Sequence, residues 1–72
     1  MAEIRFLGYL TEVAGERRKE VLLEGPKRLR EILPDSFPAD NIIVLIDEKA
    51  GTLDSVIDNH SSVVLLPVIS GG

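Results

Sequence analysis

There is no cysteine in this chain. That absence removes disulfides, thiolate-ligated metals and a thiol nucleophile together. Sulfur chemistry, if any, must run through another group or through a partner's thiol. A chain without disulfides fits a reducing compartment, so the cytoplasm is the expected location. Tryptophan is also absent, and the aromatics are only Phe6, Tyr9 and Phe37. The core must therefore be built from Val, Ile and Leu. No basic excess exists: eight Lys and Arg stand against twelve Asp and Glu, a net charge of −4. Phosphate neutralisation needs a basic stripe, so nucleic acid is not expected as a partner. No apolar run approaches the length of a membrane span, and no secretory leader opens at Met1-Ala2-Glu3-Ile4-Arg5.

What is present is a small chain of 72 residues, 44% hydrophobic, with turn residues between short apolar runs. That length makes one domain of modest stability. Ile4-Arg5-Phe6-Leu7 alternates faces and reads as a first strand, ended by Gly8. Thr11 to Gly15 reads as one helical turn closed by glycine. Lys19-Glu20-Val21-Leu22-Leu23 reads as a second strand, paired with the first as an antiparallel hairpin. Pro26 suits a first helical position, and Leu29, Ile32 and Leu33 then recur at helical spacing. The main helix is predicted there, ended by Pro34, with Lys27, Arg28, Arg30 and Glu31 toward water. Ile42 to Ile46 is a third strand, Lys49 to Thr52 a turn, Leu53 to Ile57 a single turn with Leu53 or Ile57 inward. Val63 to Leu66 is the last strand, and Pro67 limits its further pairing.

Strand, strand, helix, strand, strand can close one four-stranded mixed sheet with one main helix packed on one face. The predicted order is second, first, fourth, third, with the first and last strands parallel in the middle. This is an α+β fold, the β-grasp arrangement of ubiquitin. No segment supplies the second long helix of a ferredoxin-like fold. The predicted division is a β-grasp body over 1–66 and a C-terminal tail over 67–72.

One helix covers one sheet face only. If Ile4, Phe6, Val21, Leu23, Ile42, Val44, Ile46, Val63 and Leu65 face it, then Leu7, Ile43, Leu45, Val64 and Leu66 face away. A wet sheet face should be polar, so this uncovered strip reads as a docking surface beside the base of the tail. The tail itself ends Ile69-Ser70-Gly71-Gly72. Without Cβ atoms, Gly71 and Gly72 make a thin extended end that fits a narrow active site and leaves its carboxylate unhindered. His60 lies in a turn with no second ligand at metal-binding spacing, and no metal site is expected. Asp47-Glu48 and Asp54…Asp58 read as turn residues. There is no phosphate-binding glycine loop and no Ser/His/Asp set, so no catalytic residue is assigned.

Three stretches together resemble the MoaD/ThiS family of ubiquitin-like sulfur carrier proteins, on its molybdopterin synthase small-subunit branch. They are Ile4 to Gly15, Leu53 to Asp58, and Val63-Val64-Leu65-Leu66-Pro67-Val68-Ile69-Ser70-Gly71-Gly72. The strand, proline and terminal Gly-Gly at fixed spacing are the most specific of these. The chain departs from the pattern at Asn59-His60-Ser61-Ser62, where the family has an acidic turn, and at Val68, where it has a second proline.

The resemblance implies a carrier and not an enzyme. A MoeB/ThiF-type activating enzyme, which binds the ATP, would adenylate the Gly72 carboxylate, and a persulfide sulfur would leave a thiocarboxylate. The chain would bind no cofactor itself. Its MoaE-like partner, the molybdopterin synthase large subunit, would receive the tail. Leu7, Leu66 and Ala50 match outer-face positions that contact partners in the family, beside Ile43, Leu45, Val64 and Pro67 on the same strip. Two alternatives stand beside this one: a modifier joined through Gly72 to lysine-bearing target proteins, and a sulfur carrier for tRNA thiolation or thiamine synthesis.

Overall fold

The computed structural model describes residues 1–68. Strand β1 (Ala2–Phe6) buries Ala2, Ile4 and Phe6, while Arg5 is exposed and Glu3 half-buried. Helix α1 (Leu10–Ala14) follows, with Leu10 buried. Gly15 closes it at φ 80, and its N–H donates to the Thr11 carbonyl. Glycine occupies that left-handed position without a Cβ penalty. Strand β2 (Arg18–Val21) returns antiparallel to β1.

The main helix predicted from Pro26 to Leu33 does not form. In its place stand a two-residue strand β3 (Lys27–Arg28) and a single 3₁₀ turn (Leu29–Glu31). The two prolines leave only the seven residues 27–33 between them. That is about two turns, so tertiary partners and not local propagation decide the conformation. The backbone instead finds partners elsewhere. The Leu29 and Arg30 N–H groups donate to the Ser55 and Leu53 carbonyls, both at 2.9 Å. The Arg28 N–H donates to the Glu31 carboxylate at 2.9 Å. The apolar spacing still reports burial correctly: Leu29 and Leu33 are buried and Ile32 packs against them.

Strand β4 (Ile42–Ile46) turns directly into strand β5 (Lys49–Gly51) through Asp47 and Glu48, at φ 51 and 69. Two consecutive left-handed residues make a tight hairpin turn. Asp47 is tied in on both sides: its N–H donates to the Ser62 carbonyl at 2.8 Å, and its carboxylate accepts from the Ser62 N–H at 3.0 Å. Lys49 to Gly51 is thus a strand and not the predicted turn, and the sheet has five strands instead of four. Strand β6 (Val56–Ile57) pairs with β3 as a small second sheet. Strand β7 (Ser62–Pro67) completes the main sheet.

The main sheet order is β2-β1-β7-β4-β5, with β1 and β7 parallel and the other neighbours antiparallel. The first four positions reproduce the predicted order, and the architecture is β-grasp. The core lies on one face, where Ile4, Phe6, Val44, Val63 and Leu65 meet Leu10, Leu29, Leu33, Phe37 and Ile57. Phe6 and Phe37 pack tilted, with ring centroids 5.8 Å apart. No helix among the described residues is long and apolar enough to cross a membrane.

Candidate functional site

The sheet face opposite the core holds the candidate site. Cross-strand register puts Arg18, Arg5, Val64, Leu45 and Ala50 in one row running across all five strands. The chemistry changes once along it, between β1 and β7. On the β2–β1 side the side chains are charged and paired. The Glu3 carboxylate meets Arg5 Nε at 2.9 Å and Arg18 Nη2 at 3.0 Å, and Arg18 Nη2 meets Glu20 at 2.8 Å. On the β7–β4–β5 side they are apolar. Ile43 stands opposite Leu66, and Leu45 is flanked by Val64 and Ala50. Ile43 is 41% exposed; Leu45, Val64 and Leu66 are half-buried, and Ala50 is exposed.

Strand alternation explains the strip. Ile43, Leu45, Val64 and Leu66 each neighbour an inward-facing core residue, and strand neighbours point to opposite faces. The third and last strands carry apolar residues at both parities, so one set is left without cover.

At one end the strip meets Pro67 and Val68, the last described residues. Leu7, 47% exposed, continues β1 by one residue, its N–H donating to the Leu65 carbonyl at 2.9 Å. Gly8 follows at φ +58, and a Cβ there would stand 2.9 Å from Pro67 Cγ. The Thr11 hydroxyl donates to the Gly8 carbonyl at 2.9 Å and holds that turn. From the other side, the Val68 N–H donates to the Asn41 carbonyl at 2.9 Å. Asn41 is itself left-handed, at φ 59. Tyr9 and Val68, 51% and 47% exposed, stand beside this exit.

The predicted patch residues Leu7, Ile43, Leu45, Ala50, Val64 and Leu66 therefore share one face, while Pro67, opposite Ile42, has the parity of Leu65 on the other. Ser70, Gly71 and Gly72 lie outside the described residues. Sequence reasoning gave Gly8 only the role of ending a strand, assigned Tyr9 none, and passed over Asn41. An available signal was the parallel pairing of the first and last strands, which brings the residues after Phe6 beside those after Leu65.

No other described region competes. His60 is exposed in its turn, with its N–H donating to the Asp58 carboxylate at 2.8 Å. Among the described residues no three His, Asp or Glu side chains gather into a metal-binding group. A cavity of about 210 Å³ between Leu33, Phe37, Leu53 and Arg30, and a wider one of about 490 Å³ beside Val21, Leu23 and Ile32, have no histidine or hydroxyl side chain in their walls.

No protein-family model and no curated protein matches the chain. Solved structures do. SAMP1, the small archaeal modifier protein 1 of Haloferax volcanii, superposes with a TM-score of 0.72 at 24% identity, over 99% of this chain and 98% of that one. A Pyrococcus furiosus protein assigned as subunit 1 of a molybdopterin converting factor gives 0.67 at 14% identity, over 94% and 97%. Urm1 of Sulfolobus solfataricus gives 0.62 at 17% identity, over 90% and 97%. The chain shares their fold. The correspondence runs nearly end to end in each case. The resemblance read from the sequence leads to the same group of structures.

Proposed function

We propose that this chain is a ubiquitin-like sulfur carrier, with Gly72 as the residue whose carboxyl group is activated. The observation that carries the reading is the apolar strip of Ile43, Leu45, Val64 and Leu66, which runs up to Pro67 and Val68 where the tail begins. A carrier needs a surface for its activating enzyme and an end that reaches the active site, and the two must be adjacent.

The chemistry follows from what a carboxylate lacks. It is a poor electrophile. A MoeB/ThiF-type partner binds ATP, and the Gly72 carboxylate oxygen attacks the α-phosphorus, releasing pyrophosphate. The acyl-adenylate is a good electrophile. The outer sulfur of a partner's persulfide attacks the acyl carbon and AMP leaves. A second thiol cleaves the resulting acyl disulfide, and the thiocarboxylate remains on Gly72. The chain supplies no acid, base or cofactor. It works in the cytoplasm as a cosubstrate or small subunit.

The acceptor we favour is a molybdopterin precursor bound by a large subunit, supported by the Leu66-Pro67 ending and by the fold shared with the Pyrococcus converting-factor subunit. A second reading has its own support. The fold shared with a protein named as a modifier fits a chain whose activated Gly72 is joined to target lysines. Both readings need the same activation step.

The test is intact mass spectrometry of the chain purified from its native host without a C-terminal tag. Replacement of oxygen by sulfur, confined to the Gly72 peptide, is the expected result. Branched peptides joining Gly72 to lysines would select the modifier reading. A chain that keeps its free carboxylate after incubation with the activating enzyme, ATP and a persulfide donor would sink both.

A further inference from the structure

Two left-handed residues stand on either side of Pro67 and Val68. Gly8 lies just beyond the end of β1, and Asn41 just before the start of β4. We propose that Gly8 and Asn41 form a collar that sets the position and heading of Val68, and so act as positioning residues for activation of the chain end. The proposal rests on the carrier reading above.

Each half of the collar has a distinct physical basis. Gly8 is required twice. Its φ of +58 lies where L residues are disfavoured, and any Cβ there would stand 2.9 Å from Pro67 Cγ and 3.2 Å from Cδ. A proline ring has little room to give. Removing the Cβ lets the ring seat directly against the backbone of the β1–α1 turn. On the opposite side, φ 59 at Asn41 turns its carbonyl toward β7, where it accepts the Val68 N–H at 2.9 Å. Asparagine visits this region more readily than most side chains. The last described residues are thus held by steric contact on one edge and a hydrogen bond on the other.

Burial of Pro67 and Val68 does not account for this arrangement. The last buried residue of β7 is Leu65; Pro67 is half-buried and Val68 is exposed. Two left-handed positions and a close glycine–proline contact are therefore spent on a segment that buries little. A carrier gives them a purpose. Four residues remain after Val68. Four residues reach at most about 13 Å, so the place of Val68 limits where the chain end can be delivered. Reacting atoms must come within about 3.5 Å, and a misplacement of about 1 Å can cost about 100-fold in rate.

The experiment is ATP–pyrophosphate exchange by the host's adenylating enzyme, with the concentration of this chain varied and thermal melting run on every variant. If the strip docks the body and the collar aims the end, Gly8→Ala lowers kcat about tenfold or more and leaves KM within about twofold. Asn41→Val should do the same, because a β-branched residue is an outlier at that φ. Asn41→Gly keeps both the conformation and the carbonyl, and should retain the wild-type kcat. If Gly8→Ala does not fold, the Asn41 pair carries the test alone. Folded Gly8→Ala and Asn41→Val proteins with wild-type kcat would overturn the proposal. So would a loss lying wholly in KM, or an Asn41→Gly protein as impaired as Asn41→Val. Wild-type chain that supports no exchange would remove the carrier reading itself, and the collar's role with it.

Discussion

The two halves of the outer sheet face obey the same alternation and share the same backbone, yet one is charged and the other apolar. On β1 and β2 the outward positions hold Glu3, Arg5, Arg18 and Glu20, which neutralise one another in a chain of ion pairs. On β7, β4 and β5 they hold Val64, Leu66, Ile43, Leu45 and Ala50. The core lies on the opposite face, and on the charged half the outward side chains find partners among themselves. The apolar half marks the part of the surface that the free chain leaves unfinished. The boundary falls between β1 and β7, and β7 is the strand that continues into the tail.

The largest effect should separate two adjacent residues of β7. Leu65 is fully buried and Leu66 stands on the opposite face. Leu65→Ala should lower unfolding free energy by about 2–5 kcal/mol, a large share of what a chain this small has. Leu66→Ala should cost about 1 kcal/mol or less, because a half-exposed side chain gives up little burial. Denaturant titrations of the two variants check this, and equal losses would break the division of faces.

The next effect is on binding. A carboxylate in the middle of the strip, Leu45→Asp, should weaken association with the activating enzyme by about 30-fold or more, the signature of a central interface position. The same test on the charged half, Arg5→Asp, should change affinity by about threefold or less at physiological salt. Calorimetric titration of both would reveal a partner that in fact uses the other half.

Core and strip were legible because strand alternation and apolar content settle which side chains have nowhere polar to go. Ile4, Phe6, Val44, Val63 and Leu65 are buried as predicted, and the order of the first four sheet positions follows from the chain's connectivity. The helix over 26–33 was misread because Leu29, Ile32 and Leu33 fit a helical face equally well as a 3₁₀ turn packed on the core. What decided between them was the tertiary hydrogen bonding of the Leu29 and Arg30 N–H groups to residues 53 and 55, which no local pattern encodes. Strand β5 was hidden for a similar reason. Its hairpin turn uses Asp47 and Glu48 at positive φ, without the glycine that normally signals such a turn. The collar was not read because the predicted parallel pairing of β1 and β7 came without its register, and only the pairing of Phe6 with Leu65 brings Gly8 against Pro67.

The smallest effect concerns the ion pairs. Glu3→Gln breaks two of them, but the arginines are more than half exposed. Stability should fall by less than about 1 kcal/mol, with the loss shrinking further in high salt. Melting curves at low and high salt would show it. A larger, salt-insensitive loss would mean that the charged half is part of the folding core after all.

The central claim is that the apolar half of this face seats the partner that acts on the chain end. Its most direct test is amide shift mapping on an isotope-labelled chain titrated with the host's activating enzyme. The account predicts changes at Ile43, Leu45, Val64, Leu66 and Val68, with Glu3, Arg5, Arg18 and Glu20 unaffected. Changes confined to the β1–β2 half, with the strip silent, would contradict it.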